Sequence, residues 1–502
     1  MSALNTAYLN QQASVAVSAK TVSDKNVRLQ AAGIVANLNL NRVDIKANDF
    51  GSGVRHALLN IENIVGTQQA DTLIGNGLDN VLVGAEGNDR IEGGGGNDQL
   101  LGGLGADEVW GGEGDDRMYQ TLEEGVVDRI DGGTGADIVD FSQDDASELT
   151  RGVDVNLSTT TMRLLGATTG IGKIENVEIL LGTHLGDRLT GDEKDNYVSG
   201  DAGADVVDGQ AGDDVLQGGT GSDTIKGGDG SDIIYQDMDG SASTQVFDTI
   251  EGGSGWDQVD YSKTAWEDVA IQADLKLGTV NKYSTAGALI GVDTLTSIES
   301  LIGSMGNDTL IGNDSDNGLL GGDGNDTIEG GGGADKLSGG LGADRVFAGD
   351  GEDMIYQAIE AGVSDHIEGG AGNDLVDYSV SDLQAYSSNA TMGGMRLGIF
   401  ANLTEGRVVK YAARDGSFDT VVSVEHVVGT QLNDILVGNA SDNVLSGGAG
   451  EDNVYGQAGD DVLKSGDGND RIEGGEGNDM LIGGMGIDTL SGQIGRASCR
   501  ER

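Results

Sequence analysis

Aspartates recur at every ninth position along several stretches of this chain. In Gly93–Tyr119 they are Asp98, Asp107 and Asp116, and an apolar side chain follows two residues after each. Glycines fill many of the positions between them, so the turns that carry the carboxylates also expose backbone carbonyls. Carboxylates and carbonyls are hard oxygen donors. They predict binding of Ca²⁺ rather than Mg²⁺, because Mg²⁺ demands a small, near-ideal octahedron and keeps its waters.

Nonapeptides of this kind form four runs of six, six, six and seven units. Position six is Asp or Asn, and position eight is aliphatic or Met, in all 25 units. Three residues of a unit suffice for a short strand and the other six for a glycine turn, so two units make one coil of 18 residues. Coils stacked at about 4.8 Å pair their strands in parallel and bury the eighth-position side chains in a thin core.

The predicted fold is all-β, with parallel β-roll (β-solenoid) modules in tandem, joined by short β-rich connecting segments. A longer repeat of about 120 residues supports this division, since "DFS" at Asp140 returns as "DYS" at Asp260 and Asp377. The predicted domains are a partial connecting module at 1–65, β-rolls at 66–142, 182–262, 303–379 and 429–493, connectors at 143–181, 263–302 and 380–428, and a foreign tail at 494–502.

Stacking has an electrostatic consequence, because it places each unit directly above the unit two before it. Asp89 is predicted to lie over Asp107, and Asp98 over Asp116. Carboxylates at such short distances repel one another unless a cation lies between them. The whole chain carries a formal net charge of −55, so a cation must neutralise much of it if the chain folds.

Composition excludes several classes of partner and supports others. Strong negative charge excludes nucleic acid as a natural partner and disfavours anionic membrane surfaces. No run of about 20 apolar residues exists, so no transmembrane segment is predicted. The complete lack of proline and the 4% aromatic content both suit a continuous strand ladder around a thin core.

Both ends of the sequence are irregular. The N-terminus has no basic region followed by an apolar stretch, so it is not a secretory signal peptide. Met1 is either an internal start in a longer reading frame or the beginning of a cap. The tail Ile494–Arg502 breaks the repeat and holds Cys499, the one cysteine. It resembles a sequencing-library adapter translated in frame, and we exclude it from the fold; the alternative is a genuine basic tail.

Units such as "GGLGADEVW", "GGTGSDTIK" and "GGEGNDMLI" resemble the G-G-x-G-x-D-x-U-x repeat of RTX (haemolysin-type) proteins, a known calcium-binding signature. The resemblance covers most of residues 66–491. It implies a parallel β-roll in which the sixth-position aspartate and turn carbonyls from two stacked turns bind Ca²⁺. The ligands carried over are Asp89, Asp98, Asp107, Asp116, Asp205, Asp214, Asp223, Asp232, Asp326, Asp335, Asp344, Asp353, Asp452, Asp461, Asp470, Asp479 and Asp488.

The first two units of each run depart from the glycine pattern, and we expect them to cap the rolls. Their sixth positions are Asp71, Asp187, Asp308 and Asp434 in the first units and Asn80, Asn196, Asn317 and Asn443 in the second.

The resemblance also implies how the chain is exported and where it folds. The family is exported in one step by type I secretion, so the chain is expected to be secreted, extracellular and bacterial. Because metal binding would supply folding free energy, the chain should stay expanded in the low-calcium cytosol and condense outside the cell.

The sequence contains no recognisable catalytic motif. The histidines His56, His184, His366 and His426 are scattered without an H-E-x-x-H, and no G-x-S-x-G is present. Trp110 and Trp256 lie at different repeat positions and do not form a carbohydrate-binding stripe. The chain is therefore predicted not to be an enzyme.

Two interpretations of function remain. The first is an extracellular structural or adhesin-like segment, stabilised by calcium, whose partners are calcium ions and cell-surface or extracellular-matrix components. The second is the export-and-folding region of a larger RTX enzyme or toxin (a protease, lipase or epimerase) whose catalytic domain lies outside this sequence. Tandem modules favour the first.

Overall fold

The computed structural model describes residues 26–28, 33–40, 42–45, 55–57, 61–121, 123–142, 150–170, 172–263, 269–379, 391–392, 395–411, 416–492 and 498–500. These residues form strands and turns, with no α-helix among them. Nor does the described part of the chain contain a helix fit to cross a membrane. The chain divides into two compact units, Met1–Asp239 with Val246–Gln258 and Gly240–Gln245 with Val259–Arg502.

The described residues of the first compact unit form 26 strands. They are β1 Asn26–Arg28, β2 Ile34–Asn37, β3 Arg42–Ile45, β4 Arg55–Ala57, β5 Asn63–Val65, β6 Thr72–Ile74, β7 Val81–Glu86, β8 Arg90–Gly95, β9 Gln99–Leu104, β10 Glu108–Glu113, β11 Arg117–Tyr119, β12 Arg129–Thr134, β13 Ile138–Asp140, β14 Val153–Asn156, β15 Thr161–Leu164, β16 Gly172–Glu175, β17 Ile179–Leu181, β18 Arg188–Thr190, β19 Tyr197–Ser199, β20 Ala202–Gly203, β21 Val206–Ala211, β22 Val215–Gln217, β23 Thr220–Gly221, β24 Thr224–Asp229, β25 Ile233–Tyr235 and β26 Thr249–Ser254.

The remaining strands follow from Gln258 onwards. They are β27 Gln258–Asp260, β28 Ala270–Asp274, β29 Thr279–Tyr283, β30 Leu289–Thr296, β31 Ser300–Ile302, β32 Thr309–Ile311, β33 Gly318–Asp323, β34 Thr327–Gly332, β35 Lys336–Leu341, β36 Arg345–Asp350, β37 Met354–Tyr356, β38 His366–Ala371, β39 Leu375–Asp377, β40 Thr391–Met392, β41 Met395–Asn402, β42 Arg407–Lys410, β43 Phe418–Val422, β44 His426–Val428, β45 Asn433–Val437, β46 Val444–Ala449, β47 Asn453–Ala458, β48 Val462–Asp467, β49 Arg471–Glu476, β50 Met480–Met485, β51 Thr489–Ser491 and β52 Ser498–Arg500.

Each nonapeptide contributes one strand to a stack of coils. Many of these strands, such as β8 and β10, have six residues rather than the predicted three, because they continue into the first three residues of the next nonapeptide. In the first unit β10 pairs in parallel with β8, and Glu108 lies beside Arg90, 18 residues earlier. β9 pairs in the same way with β7 and β11. Alternate nonapeptides therefore build two parallel sheets that face each other across the core. This confirms the predicted all-β, parallel β-roll fold.

The longer segments between runs add an antiparallel hairpin to one of the two sheets. β14 pairs with β15, and β15 with β16, in antiparallel fashion. β16 continues the parallel ladder from β12, whereas β14 begins the ladder of the next run at β18. The other sheet stays parallel across the same segment through β13, β17 and β19. In the second unit, β28–β30 and β41–β43 form equivalent hairpins.

A column of aliphatic side chains fills the space between the sheets. In the first run it consists of Leu73, Leu82, Ile91, Leu100, Val109 and Met118, all buried. These are the eighth-position residues, so the predicted core is confirmed there. Each large apolar side chain contributes about 1.5–3 kcal/mol when it is fully buried, and the repetition of this contribution from coil to coil stabilises the thin core.

The first unit also has an apolar cluster on the outer face of one sheet. It contains Ile138, Ile179, Tyr197, Val215 and Tyr235, with Leu181 and Ile233 packed against them. Each of these residues lies next to a core residue of its strand, and its side chain points away from the core because neighbouring residues of a strand face opposite ways. The nonapeptide pattern did not predict burial at these positions.

The backbone of Ser498–Arg500 pairs in parallel with Met480–Ile482. The foreign origin of this tail stays a prediction, because the unpaired edge strand at the end of a stack can pair with whichever segment follows it. The domain boundaries stay predictions as well.

Candidate metal centre

Glycines hold the turn that precedes each strand in a conformation open to few other residues. In the unit Gly102–Trp110, Gly103 has a φ of 103° and Gly105 a φ of 121°, both in the left-handed region that favours glycine. A Cβ added at Gly103 would lie 2.0 Å from the Ala85 carbonyl oxygen of the coil before. Stacked turns therefore approach closely, and the aspartate that ends each turn is buried between them.

Hydrogen bonds join these aspartates from coil to coil. The Asp89 backbone N–H donates to Oδ1 of Asp107 at 2.7 Å, and the Asp98 N–H donates to Oδ1 of Asp116 at 2.8 Å. We call each series of aspartates linked by this bond an aspartate ladder, and each residue in the series a rung. Every run has two ladders, one for its odd and one for its even units. The predicted stacking of Asp89 over Asp107 and of Asp98 over Asp116 is confirmed.

The structure places every predicted ligand in such a ladder. All are buried except Asp488, which is partly exposed in the last coil. The rungs are Asp89, Asp98, Asp107 and Asp116 in the first run, Asp205, Asp214, Asp223 and Asp232 in the second, Asp326, Asp335, Asp344 and Asp353 in the third, and Asp452, Asp461, Asp470, Asp479 and Asp488 in the fourth.

The second carboxylate oxygen, Oδ2, is buried at many rungs without a hydrogen-bond partner. Among the described residues this holds for Asp98, Asp116, Asp137, Asp205, Asp214, Asp232, Asp326, Asp335, Asp344, Asp353, Asp374, Asp452 and Asp461. Leaving a buried polar atom unsatisfied is costly, and for an ionised carboxylate it is costlier still. The repetition of the same orphaned atom from rung to rung indicates that something outside the chain satisfies it.

A backbone carbonyl lies near many of these oxygens, on the side of the first-position glycine. A Cβ added at Gly93 would lie 2.2 Å from Oδ2 of Asp98 and 2.6 Å from the carbonyl oxygen of Gly111, in the next coil. At Gly209 the corresponding distances to Oδ2 of Asp214 and the carbonyl oxygen of Gly227 are 2.2 Å and 2.7 Å. The first-position glycine thus leaves a cradle in which a carboxylate oxygen and a carbonyl oxygen converge.

Burial changes the acidity of the ladder carboxyl groups. It raises the pKa of Asp98 to about 7, and the pKa values of Asp214 and Asp326 to about 8. The backbone N–H bonded to Oδ1 opposes this rise, and neighbouring carboxylates add to it. Near neutral pH, the ladder without a cation therefore tends to hold protons. A divalent cation would favour the ionised form instead.

The donor set identifies the kind of ion that fits. Within the part of the chain that the structure describes, no three Asp, Glu, His or Cys side chains converge on one point. An ion would therefore need backbone carbonyls, such as that of Gly111, beside the carboxylate of a rung. A mixture of charged carboxylate oxygens and neutral carbonyl oxygens suits Ca²⁺, which takes six to eight oxygen ligands. The residues present thus fit calcium.

The first rung of each run is bonded differently. Both oxygens of Asp71 accept hydrogen bonds, from the Thr67 backbone N–H at 2.6 Å, the Thr67 hydroxyl at 3.2 Å and the Ile34 N–H. The same arrangement recurs at Asp187, Asp308 and Asp434 with Thr183, Ser304 and Thr430. Donors of the chain itself satisfy these carboxylates, which supports the prediction that these units cap the ladders.

The even ladders begin with asparagine, which supplies one side-chain oxygen in place of two. Oδ1 of Asn80 accepts from the Asn76 N–H at 2.8 Å, and Asn196, Asn317 and Asn443 accept from their own turns in the same way. No second carboxylate oxygen is present at these rungs, so they too are poor ion ligands.

Sequence reasoning missed further rungs beyond the variable loops. The Asp107 N–H donates to Oδ1 of Asp128, and the Asp116 N–H to Oδ1 of Asp137, over 21 residues rather than 18. Asp248, Asp257, Asp365 and Asp374 extend the ladders of the second and third runs in the same way. The available signal was an aspartate followed two residues later by an aliphatic residue, as in Asp128 and Ile130.

Comparison with known families agrees with this geometry. A family model described as the RTX calcium-binding nonapeptide repeat matches residues 60–91, 74–109, 92–119, 182–216, 208–235, 247–262, 296–328, 320–355, 364–379, 428–463 and 455–490. Together the matches cover more than half of the 502 residues. They include all the predicted ligands.

Proposed function

Because the chain belongs to the family of RTX calcium-binding nonapeptide-repeat proteins, we propose that it is a secreted structural segment that folds as Ca²⁺ enters its turns. The repeats bind calcium and build a β-roll. The proposal adds the ligands, the place of folding and the role of the folded segment. It rests chiefly on one observation, the buried Oδ2 atoms that recur without a hydrogen-bond partner along the ladders.

The proposed ligands are the ladder aspartates together with carbonyl oxygens of the turns. The Oδ1 atom of each rung is held by the N–H of the rung before, as between Asn196 and Asp214 at 2.7 Å, so the carboxylate cannot rotate freely. This bond leaves Oδ2 directed at the carbonyl cradle. Calcium, when bound, supplies the positive charge that lets stacked carboxylates stay ionised. Asp137, Asp257 and Asp374 extend the proposed set, since they are rungs of the same ladders.

Folding should depend on the ion because the unbound chain repels itself. A net charge of −55 expands the chain, and buried carboxylates oppose its collapse near neutral pH. Extracellular calcium would reverse both effects. RTX repeats are typical of secreted proteins, which supports an extracellular location. Tandem rolls with catalytically inert repeats suit an adhesin-like spacer between cell-surface or matrix components.

The test is a calcium titration of the full chain, followed by circular dichroism and calorimetry. We expect a cooperative gain of β structure that chelator reverses. Asp214→Asn keeps the Oδ1 acceptor for Asn196 but replaces the orphaned oxygen, so it should lower the number of bound ions and raise the calcium needed for folding.

Asp213→Asn is the matched control, since it removes the same charge from the neighbouring, exposed turn residue. It should leave the number of bound ions unchanged. Equal effects of the two substitutions would show that general charge, rather than the ladder oxygen, governs calcium binding.

A further inference from the structure

Two lysines are fully buried in the second unit, although lysine is rarely buried unless it is paired. Lys282 and Lys410 have 0% exposed side chains and are among the largest fully buried side chains described. Both lie in the hairpins that connect runs, outside the nonapeptides. Removing an ammonium group from water costs several kcal/mol, so its partners must explain its position.

The partners of Lys410 are two consecutive rungs of one aspartate ladder. Nζ of Lys410 lies 3.1 Å from Oδ2 of Asp365 and 2.7 Å from Oδ1 of Asp419. The ladder itself continues through the same pair, because the Asp365 N–H donates to Oδ1 of Asp419 at 3.0 Å. Burial alone would lower the pKa of Lys410, but the two carboxylates raise it overall and so favour the charged ammonium form. A cation of the chain itself therefore lies between stacked carboxylates.

Neutral groups of the chain also donate hydrogen bonds to the two carboxylates beside this ammonium. Tyr378 donates its hydroxyl to Oδ2 of Asp419 at 3.0 Å, and Gln357 Nε2 donates to Oδ2 of Asp365 at 2.6 Å. Each of the four carboxylate oxygens of Asp365 and Asp419 thus has a neutral protein donor, and the negative charge of the two stacked carboxylates is balanced by the ammonium alone.

The other hairpin of this unit repeats the arrangement. Nζ of Lys282 lies 2.9 Å from Oδ1 of Asp293, both side chains are fully buried, and Tyr261 donates its hydroxyl to Oδ2 of Asp293 at 3.0 Å. The registers agree, since Lys282 pairs with Ile271 as Lys410 pairs with Ile399. The lysine, aspartate and tyrosine thus recur as a set.

The hairpin β14–β16 of the first unit lacks all three members of the set. Leu164 pairs with Val153 in the lysine position, and Gly172 pairs with Met162 in the aspartate position. Phe141 replaces the tyrosine, as "DFS" replaces "DYS". There Gln120 Nε2 donates to Oδ2 of Asp128 at 2.6 Å, and the ladder has no further carboxylate above. In these three hairpins, the aspartate at this position (Asp293 or Asp419) and the buried lysine are therefore either both present or both absent.

We propose that Lys410 is a built-in counter-cation that takes the place of calcium at the last interval of its ladder and so sets where the ion array ends. Lys282 has the same role at its hairpin. This inference rests on the proposed function of the ladders. The buried lysine makes the connecting hairpin independent of calcium, whereas the nonapeptide runs on either side of the hairpin depend on calcium.

The test counts ions bound by the full chain, with calcium alone as the probe. Lys410→Met should leave Asp365 and Asp419 without their cation. We therefore expect one more calcium per chain in equilibrium dialysis than for the unaltered protein. The equilibrium constant for folding should also depend more steeply on calcium than in the unaltered protein. Each tenfold increase in free calcium should raise it by one additional factor of ten. An unchanged ion count in folded Lys410→Met would overturn the proposal.

A triple variant, Tyr378→Phe with Lys410→Leu and Asp419→Gly, copies the natural set at Phe141, Leu164 and Gly172. It removes the cation together with the carboxylate it neutralises. It should fold and bind the same number of ions as the unaltered chain, even if Lys410→Met does not fold at any calcium concentration. Failure of the triple variant to fold, or a changed ion count, would overturn the proposal.

Two further measurements separate the possible failures. If peptide mapping of the unaltered chain finds Lys410 joined to Asp365 or Asp419 with loss of one water, the ion-pair role is wrong. If Asp214→Asn loses no calcium, the proposed function of the ladders fails. If Asp214→Asn loses calcium while Lys410→Met gains none, only the present inference fails.

Discussion

The cradle beside each first-position glycine can be filled by a single methyl group. In Gly93→Ala the new Cβ would lie 2.2 Å from Oδ2 of Asp98 and 2.6 Å from the Gly111 carbonyl oxygen. Neither atom can move freely, because the Asn80 N–H holds Asp98 at 2.7 Å and the Gly111 carbonyl belongs to the next coil. Both distances must increase to more than 3 Å, which requires displacement of the rung or of the coil, such as the coils already accommodate at Ala348 and Ser465, the larger residues that hold this position before Asp353 and Asp470.

Overpacking of this kind costs about 1–3 kcal/mol. The same methyl group lies on the side where the carboxylate and carbonyl oxygens converge, so it should also weaken calcium binding, by about tenfold for each 1.4 kcal/mol lost from the bound state. Gly77→Ala is the control from the same run, because no atom lies within 4 Å of its added Cβ and its φ is not positive. In Gly77→Ala the unfolded chain has less conformational freedom, which should raise the free energy of unfolding by about 0.4–1 kcal/mol.

The assay is urea unfolding at saturating calcium, followed by far-ultraviolet circular dichroism, with calorimetric titration of calcium into each variant. Gly93→Ala should shift the midpoint to lower urea and raise the calcium needed for half-saturation, while Gly77→Ala should do neither. Equal stability and calcium binding in the two variants would refute the reasoning about the cradle.

Two further predictions concern acidity and the core. The pKa of Asp214 is raised by burial from 3.8 to about 8, so the folded calcium-free chain binds more protons than the unfolded chain. Its stability should fall as the pH rises from about 4 to about 8, by about 1.4 kcal/mol per pH unit for each such group. Circular dichroism in chelator should therefore show more β structure at pH 5 than at pH 8, and an equal signal at the two pH values would contradict the raised pKa. Leu100→Ala should cost about 2–5 kcal/mol because Leu100 is fully buried between the sheets. Leu104→Ala, at the half-exposed end of β9, should change the free energy of unfolding by less than about 0.5 kcal/mol.

The period of nine explains why so much could be predicted from the sequence. A strict repeat requires each unit to adopt one conformation, so a contact between Asp89 and Asp107 predicts the contact between Asp98 and Asp116. The same logic predicted the column through Leu82 and Leu100. Prediction weakened where the period breaks. The step from Asp107 to Asp128 spans 21 residues and the step from Asp223 to Asp248 spans 25, because variable loops intervene.

The sequence by itself determined the repeating coil, the residues of its core and the oxygen-rich turns, because these depend on local conformation and on neighbours at a fixed spacing. Only the tertiary structure decided which oxygens remain unsatisfied, where the ladders extend past the loops, and that Lys410 is buried beside Asp365 and Asp419. Those features join residues from separate segments at irregular separations. No local pattern encodes such pairings, since they follow from the way the hairpins close onto the stacked coils.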